Sequence, residues 1–176
     1  MNKLQTIASA IIISTMAMSA SAKNITPEEF AKLSPRDAIT LSHDWHGKKQ
    51  TMVAATPNGI EATFKNGQKV TIPLQDEFFV SVAPYIKRTH ECAYHVPTGC
   101  TGELVGKKMQ LKITDKATGE VIRDEDITTQ KDGFVDLWLP KEKEFLVEFT
   151  YKGKKASQVL ATNKDSHTCI TTMQLK

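Results

Sequence analysis

From Thr51 onward, the chain consists of short runs in which apolar and polar residues alternate. The alternation is clearest over residues 109–114 and 145–151, and turn pairs such as Thr118-Gly119 and Asp132-Gly133 separate the runs. Successive side chains of a strand point to opposite faces, so this period of two predicts half-buried strands. Short strands, turn residues roughly every ten positions and the lack of a helical run predict an antiparallel β-sandwich.

The residues before Thr51 follow a helical pattern instead. Thr26-Pro27-Glu28-Glu29 is a capping box with proline at the first helical position, and Ser34-Pro35 opens a second short helix. Residues 51–85 then resemble β-hairpins with Asn-Gly turns. The sequence therefore predicts a mainly β protein, with a small N-terminal α+β domain at 23–85 and a C-terminal antiparallel β-sandwich domain at 86–176.

The first 22 residues have the pattern of a signal peptide. Lys3 supplies the positive charge, residues 4–18 are largely apolar, and Ala20-Ser21-Ala22 is a small-x-small cleavage site. The apolar run is too short for a membrane span, and no later segment is apolar enough to cross a bilayer. We expect cleavage after Ala22 and a soluble protein in the bacterial periplasm, which is an oxidising compartment.

Charge and motifs exclude several classes of function. The net charge is +3 and no basic block stands out, which argues against nucleic acid as a partner. The chain has no G-x-S-x-G elbow, no H-E-x-x-H helix, no phosphate-binding glycine loop and no C-x-x-C pair. We therefore expect no enzyme and no catalytic residues.

Cysteine and histidine cluster in three short segments of the chain. All three cysteines and three of the five histidines lie there, namely His90, Cys92, His95, Cys100, His167 and Cys169. An odd number of cysteines is unusual in an exported protein, because structural disulfides use them in pairs. Thiolate and imidazole are the ligands that copper(I) and zinc prefer.

Two interpretations of the cysteines stay open. Pro97 and Gly99 make the segment between Cys92 and Cys100 a turning loop, so these two thiols come close enough to bond. A disulfide there would stabilise the fold by roughly 2–3 kcal/mol on the chain-entropy model. The chain would then be an interaction protein with a Cys92–Cys100 disulfide and a free, buried Cys169.

The other interpretation is a metal site of three thiolates, with His90, His95 and His167 as auxiliary ligands. It requires Cys169 to fold back against the loop, and a trigonal thiolate site suits copper(I). Zinc is the less favoured ion, because C-x7-C is wider than a zinc knuckle. If residues 169–175 form a strand, His167 shares a face with Cys169, whereas Met173 lies roughly 13 Å away, too far to bind the same ion.

A further histidine pair lies at His43 and His46, around Asp44 and Trp45. Their spacing fits a second metal site, although polar residues at the end of a helix are the commoner interpretation.

Three cysteines also suit redox chemistry with copper. Copper outside the cytosol is often copper(II), and two neighbouring thiolates reduce it as they become a disulfide. The third thiolate then holds the copper(I) that forms. The cysteine count thus suggests stoichiometric reduction of copper(II) rather than catalysis.

Three segments of the chain resemble the family of periplasmic copper-binding proteins called CueP. They are residues 90–100, the stretch GFVDLWLP from Gly133, and TCITTMQL from Thr168. The resemblance implies copper binding in the periplasm, copper resistance, and delivery of copper to a periplasmic Cu,Zn superoxide dismutase, which is the work of a metallochaperone. It also implies that the three cysteines are the ligands, that they lie in the C-terminal one of two domains, and that the protein dimerises.

Residues 108–152 resemble a transthyretin-type or collagen-adhesin-type repeat. In these repeats a hairpin precedes a stretch like DGFVDLWLP, and an aromatic strand follows it. This likeness implies a transthyretin-like or immunoglobulin-like sandwich and says nothing about chemistry.

Overall fold

The computed structural model of the protein describes residues 25–48 and 51–176, so the predicted signal peptide lies outside the described residues. Two helices come first, α1 at Pro27–Phe30 and α2 at Pro35–Asp44. The predicted capping box is confirmed: Thr26 N–H donates to the Glu29 carboxylate, and Glu29 N–H donates to the Thr26 hydroxyl. Ser34 caps α2 by accepting from Asp37 N–H.

The described residues form ten strands after the helices: β1 Met52–Thr56, β2 Gly59–Thr63, β3 Lys69–Pro73, β4 Glu77–Val82, β5 Lys108–Asp115, β6 Val121–Thr128, β7 Val135–Pro140, β8 Glu144–Tyr151, β9 Lys154–Ala161 and β10 Cys169–Ile170. They make three sheets, with the orders β1-β2-β3, β10-β4-β7 and β6-β5-β8-β9. The mainly β fold class is confirmed.

The sandwich consists of the β6-β5-β8-β9 sheet packed on the β10-β4-β7 sheet. Alternate side chains of β4, β5, β7 and β8 meet in one core, which includes Phe78, Leu111, Leu137 and Phe149. Neighbouring strands are antiparallel except for β10, which lies parallel to β4. Strand β10 has two residues, so it is shorter than the predicted strand at 169–175.

Strand β4 joins the two parts of the molecule. Its Phe78, Val80 and Val82 enter the sandwich core, whereas Phe79 on its other face enters the core formed by the helices and β1-β2-β3. The sequence assigns β4 to the N-terminal domain, yet β4 pairs with β7 along its whole length. The two predicted domains therefore share one sheet, and β10-β4-β7 is the middle of three layers.

Within the part of the chain that the structure describes, no helix is both long enough and apolar enough to span a membrane.

Candidate metal centre

The centre forms where the loop between β4 and β5 meets the start of β10. The pairing of β10 with β4 places Cys169 opposite Ser81, and Ser81 N–H donates to the Thr168 carbonyl at 2.8 Å. The loop is attached to β10 at Ala93, whose carbonyl accepts from both Thr168 N–H and Cys169 N–H. These bonds bring the end of the chain beside residues 92–100.

The same loop is also bonded to the N-terminal sheet. Ala55 N–H donates to the His95 carbonyl at 2.7 Å, and His95 N–H donates to the Thr168 hydroxyl at 3.1 Å. The Thr168 hydroxyl in turn donates to the Ala55 carbonyl. The three residues form a closed set of bonds, so the centre lies between the two cores of the protein.

A tight turn holds Cys100 in place. Cys100 N–H donates to the Val96 carbonyl at 2.7 Å. His46, just beyond the end of α2, donates from Nδ1 to the Pro97 carbonyl at 2.9 Å. His46 is thus a polar residue at a helix end that fixes the loop, in line with the commoner interpretation of that histidine.

The three cysteine sulfurs converge, but their pairing differs from the disulfide considered above. Cys92 is bonded to Cys169, with their Cα atoms 5.6 Å apart, and Cys100 is a free thiol. The expectation of a Cys92–Cys100 disulfide with a free Cys169 is therefore wrong. Its physical reason is the long-range attachment of Thr168 and Cys169 to Ala93, which spacing along the chain does not reveal. Cys100 Sγ nevertheless lies only 3.7 Å from Cys92 Sγ.

Two of the three auxiliary histidines lie against the sulfurs. His95 Nδ1 is 4.0 Å from Cys169 Sγ, and the ligand atoms of His95, Cys100 and Cys169 all lie within 4.8 Å of one another. The ligand atoms of His90, Cys92 and Cys100 form a second set within the same limit. Among the described residues, neither set includes His167.

His167 lies at the surface and Met173 in the sandwich core. His167 is exposed although Cys169 is buried, because β10 begins only at Cys169. Met173 packs in the sandwich core with 2% exposure, so it is a core methionine.

The three cysteines pack against buried apolar side chains. Phe134 and Ala83 are buried beside Cys169, and Cys92 and Cys100 pack against them. The Phe134 ring lies 4.4 Å from the His95 ring between centroids. Such surroundings exclude water from the buried side of the centre.

A buried carboxylate lies behind His95. Asp132 Oδ2 is 3.5 Å from His95 Nε2 and 3.4 Å from His43 Nδ1, and its side chain is fully buried. These separations are long for hydrogen bonds, so the contacts are chiefly electrostatic. His43 Nε2–H donates to Asp136 Oδ2 at 2.7 Å, and the Ser81 hydroxyl donates to the other oxygen of Asp136. Two imidazoles and two carboxylates thus link the sulfurs to helix α2.

The carboxylates set the charges in this network. Burial alone would lower the pKa of His43, but Asp132 and Asp136 raise it to about 9. Burial likewise opposes ionisation of Asp132, yet His43 and His95 hold the pKa of that carboxyl well below its usual range. His43 is therefore an imidazolium at neutral pH, and its charge partly offsets those of the two buried carboxylates.

The free thiol is affected by the same network. Burial raises the pKa of Cys100, but the His95 imidazole beside it lowers that pKa overall. Burial lowers the pKa of His95, and Asp132 and Cys100 more than offset it, so the His95 pKa is raised. A lowered thiol pKa favours the thiolate, which is the form that binds metals.

Two glycines allow Asp132 to reach this position. Gly102 and Gly133 lie back to back, and a Cβ on Gly133 would be 2.7 Å from the Gly102 carbonyl oxygen. Gly133 has φ +83°, and Gly102 N–H donates to the Asp132 carbonyl at 2.6 Å. The turn that the sequence predicts at Asp132-Gly133 therefore also supplies the carboxylate of the centre.

Sequence reasoning missed the acidic side of the centre. Asp132 has the pattern of a turn residue, and Asp136 occupies a polar position of an alternating strand, so neither is conspicuous. The sequence predicts His43 to be a helix-end residue or part of a separate metal site, whereas the structure places it against Asp132 and Asp136.

A surface groove opens beside Cys92. Its volume is about 730 Å³. Residues that line it include His90, Cys92, His167, Tyr85 and Thr171. The ligand types of the centre, thiols with imidazole, suit a soft metal ion such as copper(I).

The family model described as "Periplasmic copper-binding protein CueP" matches residues 40–174 of this chain. Among solved structures, the chain is similar to the protein in "Crystal Structure of S.CueP", with 34% sequence identity and a TM-score of 0.72. That match covers 80% of this chain and 88% of the other. No curated protein matches the chain.

Proposed function

This chain belongs to the family of periplasmic copper-binding proteins called CueP, and on that premise we propose that it binds copper(I) through the thiolates of Cys92, Cys100 and Cys169. The observation that carries the proposal is the convergence of the three sulfurs. Cys92 Sγ is bonded to Cys169 and lies 3.7 Å from Cys100 Sγ. Reduction of the disulfide would free the thiolates of Cys92 and Cys169 beside Cys100, which gives three thiolates at one place, and such a ligand set prefers copper(I).

The charges around the sulfurs support this proposal. The lowered pKa of Cys100 favours a thiolate before the metal arrives. The apolar contacts of Phe134 and Ala83 keep water from the buried side, which favours a soft ion with few water ligands.

Copper(I) competition against a chromogenic chelator tests the proposal, with anaerobically reduced protein and elemental analysis of the metal bound. Serine at any of the three cysteine positions should lower copper(I) affinity by orders of magnitude while the protein stays folded. Met173→Leu is the matched control, because Met173 is a buried sulfur residue in the sandwich core. An unchanged affinity in the serine variants, or zinc as the bound metal, would contradict the proposal.

We also propose that the thiols reduce copper(II). Cys92 and Cys169 thiolates together give up two electrons and form one S–S bond, and two copper(II) ions become two copper(I) ions. The Cys92–Cys169 disulfide has the connectivity expected of the oxidised product, and Cys100 then remains as a thiol beside His95. The reaction is stoichiometric, because the reduction of two copper(II) ions consumes two thiols.

Addition of copper(II) to the reduced protein tests this step. We expect two copper(I) ions to form for each pair of thiols that is lost, and a Cys92–Cys169 linkage in the peptide map. Unchanged thiols would contradict the reduction while leaving copper(I) binding intact.

The physiological role that we propose is copper homeostasis and resistance in the periplasm, with delivery of copper to a periplasmic Cu,Zn superoxide dismutase. The family match supports the periplasmic location. Activation of copper-free superoxide dismutase by the copper-loaded protein, and not by the Cys100→Ser variant, would support delivery. The mass of the periplasmic protein tests cleavage after Ala22, and light scattering tests the proposed homodimer.

A further inference from the structure

The metal centre has two overlapping sets of ligands that differ in their access to solvent. The outer set is His90, Cys92 and Cys100, and the inner set is His95, Cys100 and Cys169. Within each set the ligand atoms lie within 4.8 Å of one another. Cys100 belongs to both sets, so an ion bound to it reaches either one with a small displacement.

We propose that copper first binds at the outer set and then gains the ligands Cys169 and His95 of the inner set while Cys92 and Cys100 stay bound, with His90 as the ligand of uptake and His95 as the ligand of retention. This inference rests on the proposed function, because it assigns successive steps to the same thiolates.

Access to solvent gives the order of the two steps. The groove of about 730 Å³ is lined by His90 and Cys92. His95 and Cys169 are 0% and 1% exposed. An ion that arrives through the groove therefore meets the outer set before the inner one. Imidazole also suits copper in both oxidation states, so His90 binds whichever ion arrives.

The orientation of His95 gives its role in retention. Its Nε2 faces Asp132 Oδ2 at 3.5 Å, and its Nδ1 faces Cys169 Sγ at 4.0 Å. A carboxylate that faces one ring nitrogen holds the other toward a metal, as it does for many metal-binding histidines. His43 Nδ1 lies on the same Asp132 oxygen at 3.4 Å and compensates the carboxylate charge.

The transfer is an exchange of ligands without a redox change. The bond from copper(I) to His90 breaks, and bonds to Cys169 Sγ and His95 Nδ1 form, while Cys92 and Cys100 stay bound. The Cys169 thiol releases its proton to solvent as it binds. Copper is thus held by at least two thiolates throughout and is never free.

Stopped-flow uptake of copper(I) from a chromogenic chelator complex tests the order of the steps in the reduced full-length protein. His90→Ala should slow uptake about tenfold and leave the equilibrium affinity within about twofold. Loss of His95 should lower affinity by at least ~10–100-fold, which is the usual cost of losing even an outer-shell partner of a metal ligand. His167→Ala is the matched control, because His167 lines the same groove and lies outside both sets.

Uptake by His90→Ala at the rate of His167→Ala would overturn the proposal, and so would equal losses of affinity in the His90 and His95 variants. Because His95 is fully buried, His95→Gln is used with His95→Ala. If neither folds, X-ray absorption of the copper(I)-loaded wild-type protein decides. Three sulfur neighbours with one nitrogen support retention by Cys169 and His95, whereas two sulfur neighbours with one nitrogen, as in the outer set, or no nitrogen neighbour would overturn the proposal. Failure of the proposed function is distinguishable, since the wild-type protein would then not compete for copper(I) at all.

Discussion

Asp132 is a fully buried carboxylate that faces two imidazoles, His43 and His95. A buried charge is strongly unfavourable unless an opposite charge compensates it. The imidazolium of His43 does so, because Asp132 and Asp136 raise the pKa of that imidazole to about 9. At this scale the metal centre depends on residues that would not themselves touch copper.

The raised pKa of His43 predicts how stability depends on pH. The folded pKa is about 9, above the ordinary value of 6.5. The stabilisation is therefore complete below pH 6.5 and is lost as the pH rises through 9. A shift of this size corresponds to a contribution from His43 on the order of 3 kcal/mol to the free energy of unfolding.

Urea denaturation of the metal-free protein at several pH values measures this loss. His43→Gln should be less stable at pH 6 and should lose less stability between pH 6.5 and 9. Part of the fall in the free energy of unfolding with rising pH should remain, because the pKa of His95 is raised as well. If the free energy of unfolding of the variant fell with pH as steeply as that of the wild-type protein, the role of His43 would be contradicted.

The sequence identifies the ligand types of the centre but not their partners. Cys92, Cys100 and Cys169 are conspicuous because they are the only cysteines of the chain and lie beside histidines. The bond between Cys92 and Cys169 spans 77 positions, and it depends on backbone contacts between the loop and β10. Asp132 could not be singled out, because an aspartate before glycine has a sufficient explanation as a turn residue.

At the scale of elements, the turn between β6 and β7 places Asp132 and lies against the loop that follows Cys100. Gly133 combines φ +83° with a close approach to Gly102. An alanine there should be strongly destabilising, since the left-handed conformation costs roughly 1–2 kcal/mol and the backbone clash adds to it.

Gly119→Ala is the matched control for Gly133→Ala. Gly119 has φ +72° and no atom within 4 Å of an added Cβ. Its alanine variant therefore reports only the cost of the left-handed backbone conformation. We expect the larger fall in the urea midpoint for Gly133→Ala, and weaker copper(I) binding in that variant alone. Equal midpoints would contradict the close packing of Gly102 and Gly133.

Thr168 joins the loop, β10 and β1 through one hydroxyl. It accepts from His95 N–H at 3.1 Å and donates to the Ala55 carbonyl. Thr168→Val keeps the shape but leaves two buried backbone groups unpaired, which should lower the free energy of unfolding by about 1–3 kcal/mol. Thr168→Ser retains the hydroxyl and should lose much less. Similar losses in the two variants would show that the hydroxyl does not hold the loop.

At the scale of the whole molecule, β4 contributes to both cores, with Phe78 on one face and Phe79 on the other. Neither core should therefore unfold alone. Tryptophan fluorescence reports the N-terminal core, where Trp45 is buried and Trp138 packs, and far-UV circular dichroism reports all strands. The two urea transitions should coincide; a fluorescence change at lower urea would contradict the shared strand.

The strands themselves were largely predictable, because alternation and turn pairs act over a few residues. The predicted hairpins at 51–85 correspond to β1, β2 and β3. The partner of β4 was not predictable, because its pairing with β7 joins residues more than fifty positions apart. The parallel pairing of β10 is likewise long-range, and it is the contact that completes the metal centre.

The most direct test of the account is the number of sulfur neighbours around copper(I), measured by X-ray absorption on reduced protein loaded anaerobically with one equivalent of copper. Convergence of Cys92, Cys100 and Cys169 predicts three sulfur neighbours in the wild-type protein and two in Cys100→Ser. Fewer than three sulfur neighbours in the wild-type protein, or a number that Cys100→Ser leaves unchanged, would contradict it.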